Sequence, residues 1–458
     1  MAHSRDCQII CGQATLPWNT YAAAAKFLIY EEYIDELDMR AFKSYASIDV
    51  RNILHNYILD NKSSNSGDDK DKRERKIIFL TSCLTEVRHL QATKPEDKIY
   101  GLYASFSALG VPLPAPDYAK PPAQVYEEAT VSMIAYSRSL QVLSYASSND
   151  RNQRLPSWVP DWQDEDVKLV TPPSDATKGS RVPNTDPSAL SPVPGQLHVR
   201  GKIIGTVATR SQSDFMTLDF PSGARSDGLP ILTEEKYDFT NEIDALRLLV
   251  HRIKLFREWK RLIETTPSQF DGEEPGDVFY DILNFDREAS PRDLFDIWVD
   301  ILDYPKTHHD LLIGEELAEK WRAADLSNAS HWSSEMMHCA VIAASLASKS
   351  PRKGGIIVPQ AAALLDLVAE LSGNMGDRAL VLIHDEGLHA TVLGTAFHVV
   401  RTGDVLVLLE GADYPAVLRA QEEQWRLAGP AFVGGIMDGE SWSDEEGVVG
   451  ELVDFVLV

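Results

Sequence analysis

Cysteine is scarce in this chain. The four present in 458 residues, Cys7, Cys11, Cys83 and Cys339, are too few and too scattered for a disulfide framework, and no Cys-x-x-Cys pair is available to hold zinc. A reducing, cytoplasmic setting is the expectation. Long apolar runs are missing too, and the opening Met-Ala-His-Ser-Arg-Asp has no signal-peptide core, so neither export nor a membrane partner is expected. Positive charge is in deficit: 44 basic residues stand against 69 acidic ones, a formal balance of −25. A surface of that sign repels nucleic acid and anionic lipid, which excludes both as expected partners. The one basic run, Lys70 to Lys76, is broken by Asp71 and Glu74 and reads as a solvated loop. The phosphate-binding Gly-x-x-x-x-Gly-Lys-Ser/Thr loop, the Gly-x-Ser-x-Gly elbow, His-Glu-x-x-His and Gly-x-Gly-x-x-Gly do not occur, so no metal or cofactor is expected.

What is present is ordinary globular material: 44% hydrophobic residues in a chain long enough for two or three domains or subdomains. Helical spacing dominates residues 1–170, for example Val125, Ala129, Met133 and Tyr136 within 124–137. Near Pro95, Thr93 is a cap candidate for a helix carrying Ile99, Leu102, Tyr103 and Phe106 on one face. Residues 171–195 hold six prolines among Ser, Thr, Asp and Gly, the composition of a linker or long loop. Residues 196–377 open on a short β segment, Leu197 to Thr209, with bends expected at Gly201 and Gly205, and continue as a helical block. From 378 to 458 the period changes to two, with a hairpin expected at Asp385-Glu386-Gly387. The expected class is α+β, mostly helical in the N-terminal and central parts, with a C-terminal antiparallel β segment.

Two regions carry a family resemblance. Ala92-Thr-Lys-Pro-Glu-Asp-Lys-Ile-Tyr-Gly-Leu102, Pro116-Asp117-Tyr118, Val125-Tyr126-Glu127-Glu128 and Leu155-Pro-Ser-Trp-Val-Pro-Asp-Trp162 occur in that order. Gly403-Asp404-Val405, Pro415 to Arg419 and Gly435-Ile-Met-Asp-Gly-Glu440 follow near the end. Together they resemble the region that follows the effector domain in fungal heterokaryon-incompatibility (HET) proteins. The family's Ser-Tyr-x-Trp-Gly, Asp-x-x-Cys-x-Asn-Gln and Trp-x-x-Gln-Glu segments have no counterpart. The expectation is that the effector domain has been lost or that the gene begins further upstream. Val392-Leu-Gly-Thr-Ala396 departs from the family's Gly-Leu-Gly-Pro-like turn, and Gly434 stands where relatives usually have His.

Candidates for chemistry are few. His308, His309 and Asp310 form the densest polar cluster and could act as a proton-transfer group, although neighbours on a helix point in different directions. Trp158 and Trp162, held on a stiff loop by Pro156 and Pro160, could make an aromatic binding platform or plug a core. His389 and His398 lie on or beside C-terminal strands and are binding candidates, with structural histidines as the plainer reading. Glu86/His89 and Glu335/His338 have the Glu-x-x-His spacing of di-iron bundles, but so short a pattern arises by chance in a chain this acidic. Asp161 to Asp166 reads as a solvated acidic loop.

The resemblance implies a ligand- or partner-binding regulatory or recognition module without the effector domain. The alternative is a cofactor-free cyclase or isomerase, Diels-Alderase-like, in fungal secondary metabolism of terpenoid or polyketide type. Such chemistry needs a shaped apolar pocket and one or two hydrogen-bond donors and leaves no motif. The ligand would be an apolar small molecule or a protein.

Overall fold

The computed structural model describes residues 8–17, 20, 23, 80, 92–108, 110–146, 155–164, 174–211, 255–265, 275–283, 292, 296, 378–385, 390–397, 399–443 and 451–458. A hairpin comes first, β1 (Gln8–Cys11) with β2 (Ala14–Pro17). Then follow α1 (Asp97–Tyr100), α2 (Tyr103–Ala108), α3 (Pro122–Ser137), a 3-10 turn at Gln141–Tyr145 and α4 (Pro187–Leu190). The long strand β3 (Leu197–Arg210) precedes helical residues 255–265 and α5 (Pro275–Leu283). Six strands end the order: β4 (Arg378–Asp385), β5 (Ala390–Phe397), β6 (Val405–Leu409), β7 (Ala416–Gln421), β8 (Gln424–Val433) and β9 (Val453–Leu457).

The large sheet closes on itself. β4 pairs with β5, β5 with β8, β8 with β7, β7 with β6 and β6 with β3, and β3 pairs back with β4. Closure is possible because β3 is long and bent. Its residues 201–206 bond to β6 on one edge while 205–210 bond to β4 on the other, with register shifts at Ile203/Gly205 and Val207/Thr209. β9 fills the remaining span of β3, at 197–201, and touches β8 through the single parallel bridge Trp425↔Leu457; every other pairing in the sheet is antiparallel.

Period-two alternation sorts the side chains into two cores. Leu406 and Leu408 of β6 and Val417 of β7 point into the barrel with Val207, Ile383, Val392, Ala396 and Val433. Val407, Leu409, Ala416 and Leu418 point out, joining Leu197, Val199, Phe455 and Leu457 in a second core shared with α3 and the 155–162 loop. Eight strands give a barrel just wide enough for side chains, so six strands leave a narrow interior that these aliphatic groups fill. The helical layer is anchored by α3: Pro122 starts it, its apolar positions from Val125 to Ile134 are buried, and Arg138 ends it in the left-handed region at φ 55.

This corrects the expected fold class. The described residues are 28% helical and 31% strand, not mostly helical. Spacings of three and four in a short window also fit turns that stop after four residues, as at α1. The strand expected at Leu197 is not a local segment beside a helical block but the strand that closes the barrel. Thr93 does not cap α1, whose N-cap position is Glu96 without a side-chain bond. Most of the expected helical block, including all of 297–377, and the turn at Glu386-Gly387 lie outside the described residues.

Candidate functional site

Of the segments that carry the family resemblance, those at 92–102, 116–118, 125–128 and 155–162 are joined by hydrogen bonds and ring contacts, and they divide into latches and an exposed patch. The latches come from Tyr126-Glu127-Glu128 at the start of α3 and from the tryptophan loop. The Tyr126 hydroxyl donates to the Pro95 carbonyl at 2.9 Å. Glu127 Oε1 accepts the Gly195 N–H at 2.6 Å, and the Trp158 indole N–H donates to the Gly195 carbonyl at 3.1 Å, so that one residue of the Pro-rich strap is held through both of its backbone polar groups. Gly195 has φ +84, a conformation that side chains rarely adopt. Glu128 accepts from Lys120 at 2.7 Å. Ser157 donates through its hydroxyl and its N–H to the Val458 carbonyl and accepts the Leu427 N–H at 2.9 Å, fixing the loop to β8 and β9.

Trp158 and Trp162 are both fully buried, and Trp162 lies 6.5 Å from the Tyr126 ring. Neither ring is open to solvent. The Trp162 Nε1 makes no hydrogen bond among the described residues. Burial raises the pKa of Tyr126 above the usual tyrosine range, with the charges of Asp161 and Glu96 adding to it.

The patch forms where α1 meets the 116–118 turn. The Tyr118 hydroxyl donates to Asp97 Oδ1 at 2.6 Å, and its ring meets Tyr100 edge-on at 5.1 Å between centroids. The Lys94 ammonium sits 4.7 Å from the Tyr118 ring centroid. Tyr100 OH donates to the Asp117 carbonyl at 2.8 Å and accepts the Asp117 N–H at 3.0 Å, which pins the turn to α1. Local sequence explains the geometry: the Lys94 carbonyl accepts the Asp97 N–H at 3.0 Å, and Asp117 closes an Asx turn on the Ala119 N–H at 2.9 Å. Tyr118 is 54% exposed, unusual for a ring with so many partners. Its pKa is raised, first by the bond to Asp97 and then by slight desolvation and the charges of Asp97, Tyr100 and Glu96.

His308, His309, Asp310, His389 and His398 lie outside the described residues, as do the Glu86/His89 and Glu335/His338 pairs. Asp161 makes an Asx turn with the Gln163 N–H at 3.0 Å. None of the patch residues stood out in the sequence as a site, because short motifs name the segments and not the side chains that reach solvent. The available signal was a tyrosine in a Pro-Asp-Tyr turn, too polar a setting for a core ring.

Among the described residues no helix is long and apolar enough to cross a membrane. Compared with known proteins, the chain matches no protein-family model, no curated protein and no solved structure.

Proposed function

We propose that this chain is a relative of the HET family's post-effector region and works as a recognition module that binds a protein partner. One observation carries the reading. Within the motif segments, the residues that need burial are spent on holding the scaffold, while Lys94, Asp97, Tyr100, Asp117 and Tyr118 are brought together at the surface. Exposed tyrosines fixed by their neighbours bind at low entropic cost, which is why they are enriched at interfaces. The described barrel interior is filled by Leu406, Leu408, Val417 and their neighbours, which supports a surface site over one inside the barrel.

The test is lysine-directed cross-linking of the full chain in extract of its source cells, read by mass spectrometry. The expected result is a partner cross-linked at Lys94 or Lys120 with the wild type and lost with Tyr118→Ala. Cross-links elsewhere only, or links indifferent to Tyr118→Ala, would overturn the reading.

A further inference from the structure

We propose that the patch recognises a basic segment of its partner, with an arginine or lysine side chain taking the place on the Tyr118 ring that Lys94 holds in the free protein. The inference rests on the recognition reading and adds the chemistry of the partner. A cation over Tyr118 is seen in the molecule itself: the Lys94 ammonium lies 4.7 Å from the ring centroid. Opposite charge surrounds it. Tyr118 already donates to the Asp97 carboxylate, the charge of Glu96 also acts on it, and Asp117 precedes it in the chain.

Nearby negative charge adds to the raised pKa of three groups around the patch, in each behind a larger cause. Beyond the direct bond to Asp97 and slight desolvation, the charges acting on Tyr118, those of Asp97, Tyr100 and Glu96, raise its pKa. Lys120 is raised chiefly by its bond to Glu128, against desolvation, with the charges of Glu128, Asp117 and Tyr100 adding to it. Tyr126 is raised by burial first, then by Asp161 and Glu96. The chain as a whole, at −25, steers cations toward such a surface. Lys94 is exposed, so an incoming guanidinium can displace it, and Arg stacks on aromatic rings better than Lys does. Lys94 is then an internal competitor that sets how basic a partner must be.

The experiment is a fluorescence-anisotropy titration of the full chain with a labelled peptide of alternating Arg and Gly, and with an alternating Glu and Gly peptide as control. The expected result is binding of the basic peptide alone. Tyr118→Leu should weaken it about two- to five-fold, the worth of an exposed cation–ring contact. That variant also frees the Asp97 carboxylate, so a purely electrostatic surface would bind as well or better. Lys94→Gln should tighten binding by about the same factor, and Lys178→Gln, the same charge change beside Ser443, should not. Equal effects of Lys94→Gln and Lys178→Gln, or no effect of Tyr118→Leu, would overturn the inference. If cross-linking at Lys94 or Lys120 still depends on Tyr118, the recognition reading stands with a partner of different chemistry; if that dependence fails as well, both fall.

Discussion

Gly394 lies mid-strand in β5 on the face of Val392 and Ala396, and replacing it with alanine tests whether the barrel is closed. A Cβ there would sit 2.4 Å from the Phe432 carbonyl oxygen, 2.7 Å from Val433 Cγ2 and 3.1 Å from Val433 Cα. Ordinary contact needs about 3.5 Å, so the strands must part by roughly 1 Å. In an open sheet an outer strand could give way. Here β5 is bonded to β4 along eight residue pairs and to β8 at 394–396, and β4 is bonded in turn to β3, so the displacement spreads round the ring. Overpacking of this kind costs about 1–3 kcal/mol, and with backbone as the obstacle the upper half, about 2–3 kcal/mol, is expected. Urea unfolding followed by tryptophan emission would measure it, with Gly403→Ala as the control. Gly403 has φ +90 but nothing within 4 Å, so only backbone strain of about 1–2 kcal/mol applies. If Gly394→Ala proved no more destabilising than about 0.5 kcal/mol, the close approach of β5 to β8 and the closed ring built on it would be refuted.

Other perturbations address other joints. Asp404, 4% exposed in its side chain, accepts two bonds from the Arg419 guanidinium at 2.9 and 2.8 Å, so Arg419→Ala should cost about 2–3 kcal/mol by leaving the buried carboxylate to the Arg401 N–H at 2.7 Å. In a urea melt a loss under 1 kcal/mol would contradict that account, and Arg419→Met with Asp404→Asn should recover part of it. Glu127→Ala removes the charged acceptor from the Gly195 N–H and should cost about 1.5–3 kcal/mol, with faster proteolysis within 187–196 as the local signature. Unchanged cleavage there would show that Glu127 does not hold the strap. Tyr126 and Tyr414 are both raised above the ordinary 10.0, each first by burial, Tyr126 then by Asp161 and Glu96 and Tyr414 by Asp413. Their neutral forms favour the fold, so this stability is fully present below pH 10 and is lost as pH climbs through the higher folded values. Stability measured from pH 9 to 12 should fall, and less steeply with Tyr126→Phe and Tyr414→Phe combined; an identical slope would argue against the assignment.

Much of the local structure was legible. Val125, Ala129 and Met133 mark α3, and all three are buried in Pro122–Ser137. Leu197 to Thr209 is a strand with a register shift beside Gly205. The change to strands after residue 378 was legible too, but β4 and β6 read as apolar runs, Ala379 to Ile383 and Val405 to Leu409, because both of their faces are buried, while the strand expected at 432–437 ends at Val433. What one chain's pattern cannot supply is pairing. That Gly205 lies between Asp385 and Leu406 follows from the length and bend of β3, not from any residue's propensity. The patch was hidden for a related reason: Asp97 and Tyr118 are twenty-one positions apart, and only the Tyr100 to Asp117 bonds bring them together.

The length of β3 has a consequence for the order in which the protein is made. Its partner strands among the described residues, β4, β6 and β9, all lie beyond residue 377, so this fourteen-residue strand is synthesised well before them. A strand without its partners is a template for other chains. β3 carries its own deterrents: Arg200, Lys202 and Arg210 place charge along it, and Gly201 and Gly205 weaken it as a free strand. In the finished fold two of those charges are absorbed, Arg200 by Glu410 at 2.7 Å and Lys202 by the Ser441 carbonyl at 2.8 Å. Charges of the kind that discourage edge-to-edge pairing thus serve, in the closed sheet, as ties between the strand and the turns that follow β6 and β8.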